Sequence, residues 1–359
     1  MRLIDEQNVQ DIATGAAVLA TGGGSNPYIG TIMARNAIRQ HGPVELWALD
    51  ELDDDDLVVS SAGMGAPTVG VEKLPNGDDA VRALKTLEQY LCTSFRATMS
   101  IEAGGGNSIV PIYVAARLGI PMVDGDGMGR AFPEIQMVTH SIYGISATPF
   151  AMSDERGNVV VMETLDNYWT EVFARSITVQ MGARSMIALY SATVRQLKES
   201  TITGIITKAE DIGRTIRLAS RREHDPVEAV CGAVEGFLIF RGKISDVNRR
   251  TTGGFARGDA RIDGIDSYTG QELLLNFQNE HLIAKIDGEF KVTVPDLIAV
   301  LDIDTAHPIT TEMLRYGTRV AVIAMPCSEK WRTPKGLELV GPRYFGYDVD
   351  FVPVEERYG

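Results

Sequence analysis

The sequence predicts an α/β N-terminal domain with parallel strands and Gly-rich loops over residues 1–165, a helical segment packed on it over 166–235, and a β-rich C-terminal domain over 236–359. Two observations carry this. A short apolar run, a glycine-rich loop and a helical stretch recur three times in the first half, and strands alternating with helices imply parallel pairing. After Phe237 the texture changes to short β-rich runs separated by glycine and proline turns. The length of 359 residues accommodates two or three such units.

In order along the chain, Val9, Ile12, Ala16 and Leu19 recur at helical spacing, so residues 5–20 form an amphipathic helix that Gly22-Gly23-Gly24 ends. Asn26 as N-cap and Pro27 as first helical residue start a second helix with Ile29, Ile32, Met33 and Ala37 buried. The first repeat is strand 56–60, loop 63–67 and helix 79–91. The second is strand 97–101, loop 102–107 and helix 108–118. The third is strand 120–123, loop 124–129 and a helix opening at Pro133. Residues 150–162 read as a hairpin turning at 154–157, and 166–235 as helical, including Trp169 to Lys198. The β-rich runs are 237–240, 273–277, 282–286 and 320–324.

The formal charge is −14, from 34 Lys+Arg against 48 Asp+Glu, which argues against general nucleic-acid or anionic-membrane binding, since neutralising phosphates needs clustered cations. No long apolar run and no secretory leader is visible, so a cytoplasmic protein acting on a small molecule is expected, as a homo-oligomer. Cys92, Cys231 and Cys327 are far apart and read as reduced thiols.

The glycine loops fall beyond the carboxyl ends of the strands, where such sheets place ligands. None satisfies GxGxxG and no Walker loop exists, so nucleotide binding is unsupported. Gly22, Gly23, Gly24 and Asn26 can offer backbone N–H groups and a helix start to an anion, or can simply connect two helices tightly. Glu102, Asp124 and Asp126 reach the same edge from different strands. Carboxylates gathered away from water must take up a proton, a cation or a metal; otherwise these acids cap helices on a solvated loop. Arg130 is either an anion-binding cation or a local salt-bridge partner of Glu134. His140 reads as a surface histidine, and no histidine spacing assembles a metal site locally. Cys327 follows a strand in a Pro-Cys-Ser turn, but lacks a paired histidine. The polar run Gln278-Asn279-Glu280-His281 either lines a cleft between domains or sits at a solvated hairpin end.

Taken together, Thr21 to Gly30, Gly63-Met64-Gly65-Ala66-Pro67 with Glu72-Lys73, Glu102 to Ser108, Asp124 to Glu134 and the closing Val340 to Asp348 resemble the S-methyl thiohydantoin desulfurase family, nearly end to end. Ala103 stands where the family pattern carries glycine, which matters only if that backbone takes a positive φ. The resemblance implies a swivelling C-terminal β-rich domain, hydrolytic removal of methanethiol from S-methyl thiohydantoins in hydantoin breakdown, and a divalent metal, with zinc the named ion. For that chemistry Glu102, Asp124 and Asp126 are the expected catalytic and metal-holding acids. Asn107 and the glycine amides are expected on the ring heteroatoms, and Arg130 or the Gly22–Asn26 helix start on an anionic tail. A hydrolase of hydantoin-like cyclic amides, or a non-catalytic small-acid-binding subunit of a hydantoinase-like system, are the alternatives.

Overall fold

The computed structural model describes residues 1–24, 26–65, 77–219, 225–252 and 255–359. Asp5 caps the first helix, α1 (Glu6–Leu19), by accepting from the backbone N–H of Gln7 and Asn8, and Val9, Ile12, Ala16 and Leu19 are buried as their spacing requires. The second helix, α2 (Tyr28–His41), begins after Pro27, with Asn26 Oδ1 accepting from Tyr28 N.

An eight-stranded mixed sheet forms the N-terminal layer. Its strands are β1 (Arg2–Ile4), β2 (Val44–Trp47), β3 (Leu57–Gly65), β4 (Ala97–Ser100), β5 (Met122–Val123), β7 (Phe150–Ser153), β8 (Val159–Met162) and β9 (Arg184–Thr193), in the order β1-β2-β5-β4-β3-β9-β7-β8. The pairs β2–β5, β5–β4 and β4–β3 are parallel. Most of β3 and all of β4 are buried, which is why they read as continuous apolar runs. Helices α3 (Asp78–Leu91) and α4 (Val110–Leu118) are the crossovers; α3 turns Ala80, Ala83, Leu84 and Leu87 inward. The 150–162 hairpin forms at the expected turn.

Three expectations fail here. The stretch expected to be helical from Trp169 to Lys198 contains β9, which pairs antiparallel with β3 and β7 at the sheet's centre. Ten consecutive residues, Arg184 to Thr193, form this strand, and its buried run Ser185 to Tyr190 has the continuous apolar pattern that periodicity does not separate from a buried helix. The helix expected at Pro133 is only the single turn α5 (Thr139–Ile142). His140 on that turn is fully buried, its Nδ1 2.8 Å from Ser200 Oγ and its ring packed beside Gly127, so it is not a surface residue.

Three further helices, α6 (Asn167–Gln180), α7 (Val194–Ser200) and α8 (Ile205–Ala219), follow; β6 (Gly125–Asp126) and β10 (Ile202–Thr203) pair as a short ribbon. Helix α8 crosses α1 so closely that a Cβ on Gly15 would sit 1.8 Å from Ala209 O. Helix α9 (Pro226–Val234) then leads into an antiparallel β-rich half-barrel of β11 (Phe237–Thr252), β12 (Phe255–Gly264), β13 (Glu272–Gln278), β14 (Glu280–Ile286), β15 (Glu289–Thr293), β16 (Leu297–Asp302) and β17 (Arg319–Met325). One face closes a core around Phe240, Ile262 and Leu275; the other face of β14, β16 and β17 joins the N-terminal core through Ile283, Leu297, Leu301 and Ile323. Among the described residues no helix is long and apolar enough to cross a membrane.

Candidate functional site

The carboxyl ends of β3 and β4 open on a cavity of about 320 Å³, roofed by α2 and α4 and closed by the β13–β14 hairpin tip of the half-barrel. That volume suits a small ring compound. Its wall is mostly apolar, including Met33, Met64, Ile101, Val110 and Phe132.

Glu102 leaves the end of β4 and is buried in this wall. Its Oε1 accepts from Asn107 Nδ2 at 2.6 Å, while Oε2 has no hydrogen-bond partner. Asn107 also clamps β3, accepting from Gly63 N at 2.7 Å and donating to Gly63 O at 3.2 Å. Its amide N–H groups are therefore engaged with Gly63 O and Glu102 Oε1, which fixes the orientation of the Glu102 carboxyl. Burial, then the nearby charge of Asp126, pushes the Glu102 carboxyl up to about 8, against the lowering effect of the Asn107 bond.

The second carboxyl comes from the other half of the chain. Asn279, with φ +58°, forms the tip between β13 and β14, and its backbone N–H and side-chain oxygen both bond Ala256. This holds the tip inside the molecule, with Asn279 and Glu280 in the cavity wall. Glu280 Oε2 has no partner, and burial, reinforced by the charge of Glu102, raises this carboxyl well above its ordinary value. His281 is neutral, lowered to about 4 by burial; Nδ1 donates to Ile298 O at 3.1 Å, which leaves the lone pair of Nε2 without a partner. Glu280 and His281 were missed as site residues although the polar run 278–281 marked them; a hairpin tip is ordinarily solvated, and only the docking of the two halves buries this one.

The glycine loop exists to let that tip approach. A Cβ on Gly23 would lie 2.0 Å from Glu280 Oε1, and one on Gly22 2.5 Å from the His281 ring. Gly24 and Asn26 line the cavity; Gly22 and Gly23 lie behind it. Three of the loop's polar groups are engaged within the protein: Gly23 N donates to Ala20 O, Asn26 N to Glu312 Oε1, and Gly22 O accepts from Thr311 N. Ser25, the stretch 66–76 with Ala66, Pro67, Glu72 and Lys73, and His224 lie outside the described residues. Ala103 is not among the residues of positive φ, so its methyl costs nothing there.

Three expected site residues are placed outside the cavity lining. Asp124 caps α8, Oδ1 accepting from Ile206 N and Thr207 N at 2.9 and 3.2 Å and Oδ2 from the Thr207 hydroxyl at 2.5 Å. Arg130 is fully buried and donates to five acceptors: Ala131 O, Pro295 O, Asp296 O, Thr21 Oγ1 and His281 O, at 2.7–3.3 Å. It is a staple between the two halves, not a receptor for a substrate anion. Asp126 is also buried behind the cavity, accepting from Ala103 N at 2.6 Å and Gly129 N at 2.9 Å; burial raises it to about 7. The three acids therefore do not form one ligand set for a divalent metal, and among the described residues no group of three or more His, Cys, Asp or Glu is placed to hold one. Cys327 is buried, and desolvation followed by the charge of Asp296 raises its thiol, the opposite of what a nucleophile needs.

What the arrangement offers is a pair of buried carboxyls, both raised above their ordinary proton affinity, facing one mostly apolar pocket across the seam of the two halves. A crystal structure of a protein from Chromobacterium violaceum shares the fold, with a TM-score of 0.81 over 99% of this chain and 100% of that one, at 22% sequence identity. No curated protein matches the chain. The family models for the S-Me-THD-like N-terminal domain and the S-Me-THD-like C-terminal domain match residues 7–164 and 165–354. The chain belongs to the S-methyl thiohydantoin desulfurase family.

Proposed function

We propose that the protein hydrolyses the C–SCH₃ bond of an S-methyl thiohydantoin or a related cyclic isothiourea, releasing methanethiol. The single observation carrying this reading is that Glu102 and Glu280, from different halves of the chain, line one small apolar cavity, each with a buried oxygen that lacks a partner. Their environments suit opposite duties. Glu102, pushed up to about 8, takes a proton from water in its ionised form as the water oxygen bonds to the ring carbon. Glu280, raised well above its ordinary value by burial and by the charge of Glu102, gives its proton to the sulfur as the C–S bond breaks. The C=N electron pair moves onto the ring nitrogen as water adds and returns as the C–S bond breaks, the remaining hydroxyl proton passes to that nitrogen as the carbon becomes a carbonyl, and the proton held by Glu102 then returns to Glu280, so the products are the ring urea and CH₃SH and both carboxyls are restored. Excluding bulk water strengthens both interactions.

No step is routed through a metal, because the expected ligands are not gathered; elemental analysis of the purified protein, zinc first, tests the ion on its own. Size-exclusion chromatography likewise tests the expected self-association. The deciding assay is methanethiol release from S-methylated 2-thiohydantoins, with unmodified hydantoin as the control for ring opening. Turnover that falls by about 10²-fold or more in both Glu102→Gln and Glu280→Gln supports the reading. Full activity in both variants, or ring opening of hydantoin with no thiol released, overturns it.

A further inference from the structure

Asn279 stands beside Glu280 in the cavity wall and brings a group that the two carboxyls leave unused. It is 6% exposed, and three of its polar atoms are fixed inside the half-barrel: N donates to Ala256 O at 2.7 Å, O accepts from Thr311 Oγ1 at 2.8 Å, and Oδ1 accepts from Ala256 N at 2.8 Å. A backbone N–H can only donate, so the side-chain oxygen is the atom that faces Ala256. This leaves Nδ2, with two N–H donors, turned the other way, and among the described residues it donates to no protein group. Buried donors left unpaired are unfavourable, and a ligand oxygen removes that cost. Asn107, the donor to the ring expected from the sequence, has both of its N–H groups engaged by Gly63 O and Glu102 Oε1.

We infer that Asn279 is a catalytic residue whose Nδ2 donates to the ring carbonyl oxygen as charge develops there, an assignment that rests on the function proposed above. In an S-methyl thiohydantoin the nitrogen that receives the C=N electron pair can be the one bonded to the ring carbonyl. The negative charge then spreads to that oxygen as water adds. A donor already held in place stabilises the charge without reorganising, and this lowers the barrier rather than merely binding the ring. The bonds to Ala256 and Thr311 supply that fixity. The positive φ of +58° does not by itself account for the residue, since glycine would serve the backbone there equally well.

The test separates donation from structure by comparing two small rings. Dissociation constants of hydantoin, which carries this carbonyl, and of imidazolidin-2-one, which lacks it, are measured by calorimetry for the wild type, Asn279→Gly and Asn279→Asp. Glycine keeps the positive φ, and aspartate keeps an acceptor for Ala256 N. The wild type is expected to bind hydantoin about tenfold tighter, and both variants to lose that preference, whereas a merely loosened tip would weaken both rings alike. With an S-methylated 2-thiohydantoin, kcat of Asn279→Gly is expected to fall about 10²-fold while KM changes far less. Equal binding of the two rings by the wild type, binding of neither, a preference retained in both variants, or an unchanged kcat in Asn279→Gly overturns the assignment. Should one variant fail to fold, the other and the wild-type comparison decide. Methanethiol release without any carbonyl preference would sink the role of Asn279 and leave the reaction standing. A carbonyl preference lost in both variants, without methanethiol release from any S-methylated ring, would overturn the reaction and leave the donor.

Discussion

Replacing Arg130 with lysine separates two roles that the sequence alone leaves open. The guanidinium serves five acceptors in a fixed fork, four of them backbone carbonyls that belong to both halves of the chain. An ammonium has three donors and one nitrogen, so at least two acceptors lose their partner. At about 1–3 kcal/mol for each buried acceptor left open, Arg130→Lys should cost about 2–6 kcal/mol of stability while the net charge stays the same. Its contact over the Phe132 ring, 4.5 Å from the centroid, would weaken as well. The assay is equilibrium urea unfolding followed by tryptophan fluorescence, to which Trp331, fully buried against Phe132, contributes. A substrate-anion receptor would behave oppositely: the variant would unfold like the wild type and show only a raised KM. Unfolding free energy within about 0.5 kcal/mol of the wild type, the range of ordinary surface substitutions, would refute the staple.

Other outcomes follow from the same geometry. Gly23→Ala should push the Glu280 carboxylate aside, since the new Cβ would start 2.0 Å from Oε1, and a displacement of that size is expected to lower kcat by about 10²-fold. The pH profile of kcat/KM should rise through about pH 8 as Glu102 ionises, and that limb should vanish in Glu102→Gln. The sign for stability is opposite: because the folded carboxyl binds its proton more tightly than the unfolded one, its contribution is present in full below about pH 4.5 and is lost as pH rises through about 8. Glu102→Gln should therefore be more stable than the wild type at pH 9, by a few kcal/mol at most, and a destabilised variant there would count against this account. Asp124→Ala should cost about 0.5–2 kcal/mol by removing the cap of α8 and leave methanethiol release unchanged; abolished turnover in a folded variant would return Asp124 to the mechanism.

The first helix, the strands and helices of the first two strand–loop–helix units and the 150–162 hairpin are readable because each is fixed by neighbours in sequence: apolar spacing, a cap, a glycine break. Strand β9 is not, because a strand buried on both sides has no alternation to betray it. The site divides along the same line. Glu102 could be placed at the edge of the sheet from the end of β4, and the glycine loops could be recognised as places of close approach. That Gly22 and Gly23 make room for Glu280 and His281, more than 250 residues on, could not.

The chain's order of residues determined the family, the kind of sheet and the presence of acids beside glycine turns. Only the docking of the half-barrel on that sheet decided which acids line the cavity. It buried a hairpin tip that would otherwise be wet, turned Arg130 into a cross-link, and left Asp124 to cap a helix. Proton affinity follows burial and nearby charge, and both are properties of the assembled interface rather than of any segment within it.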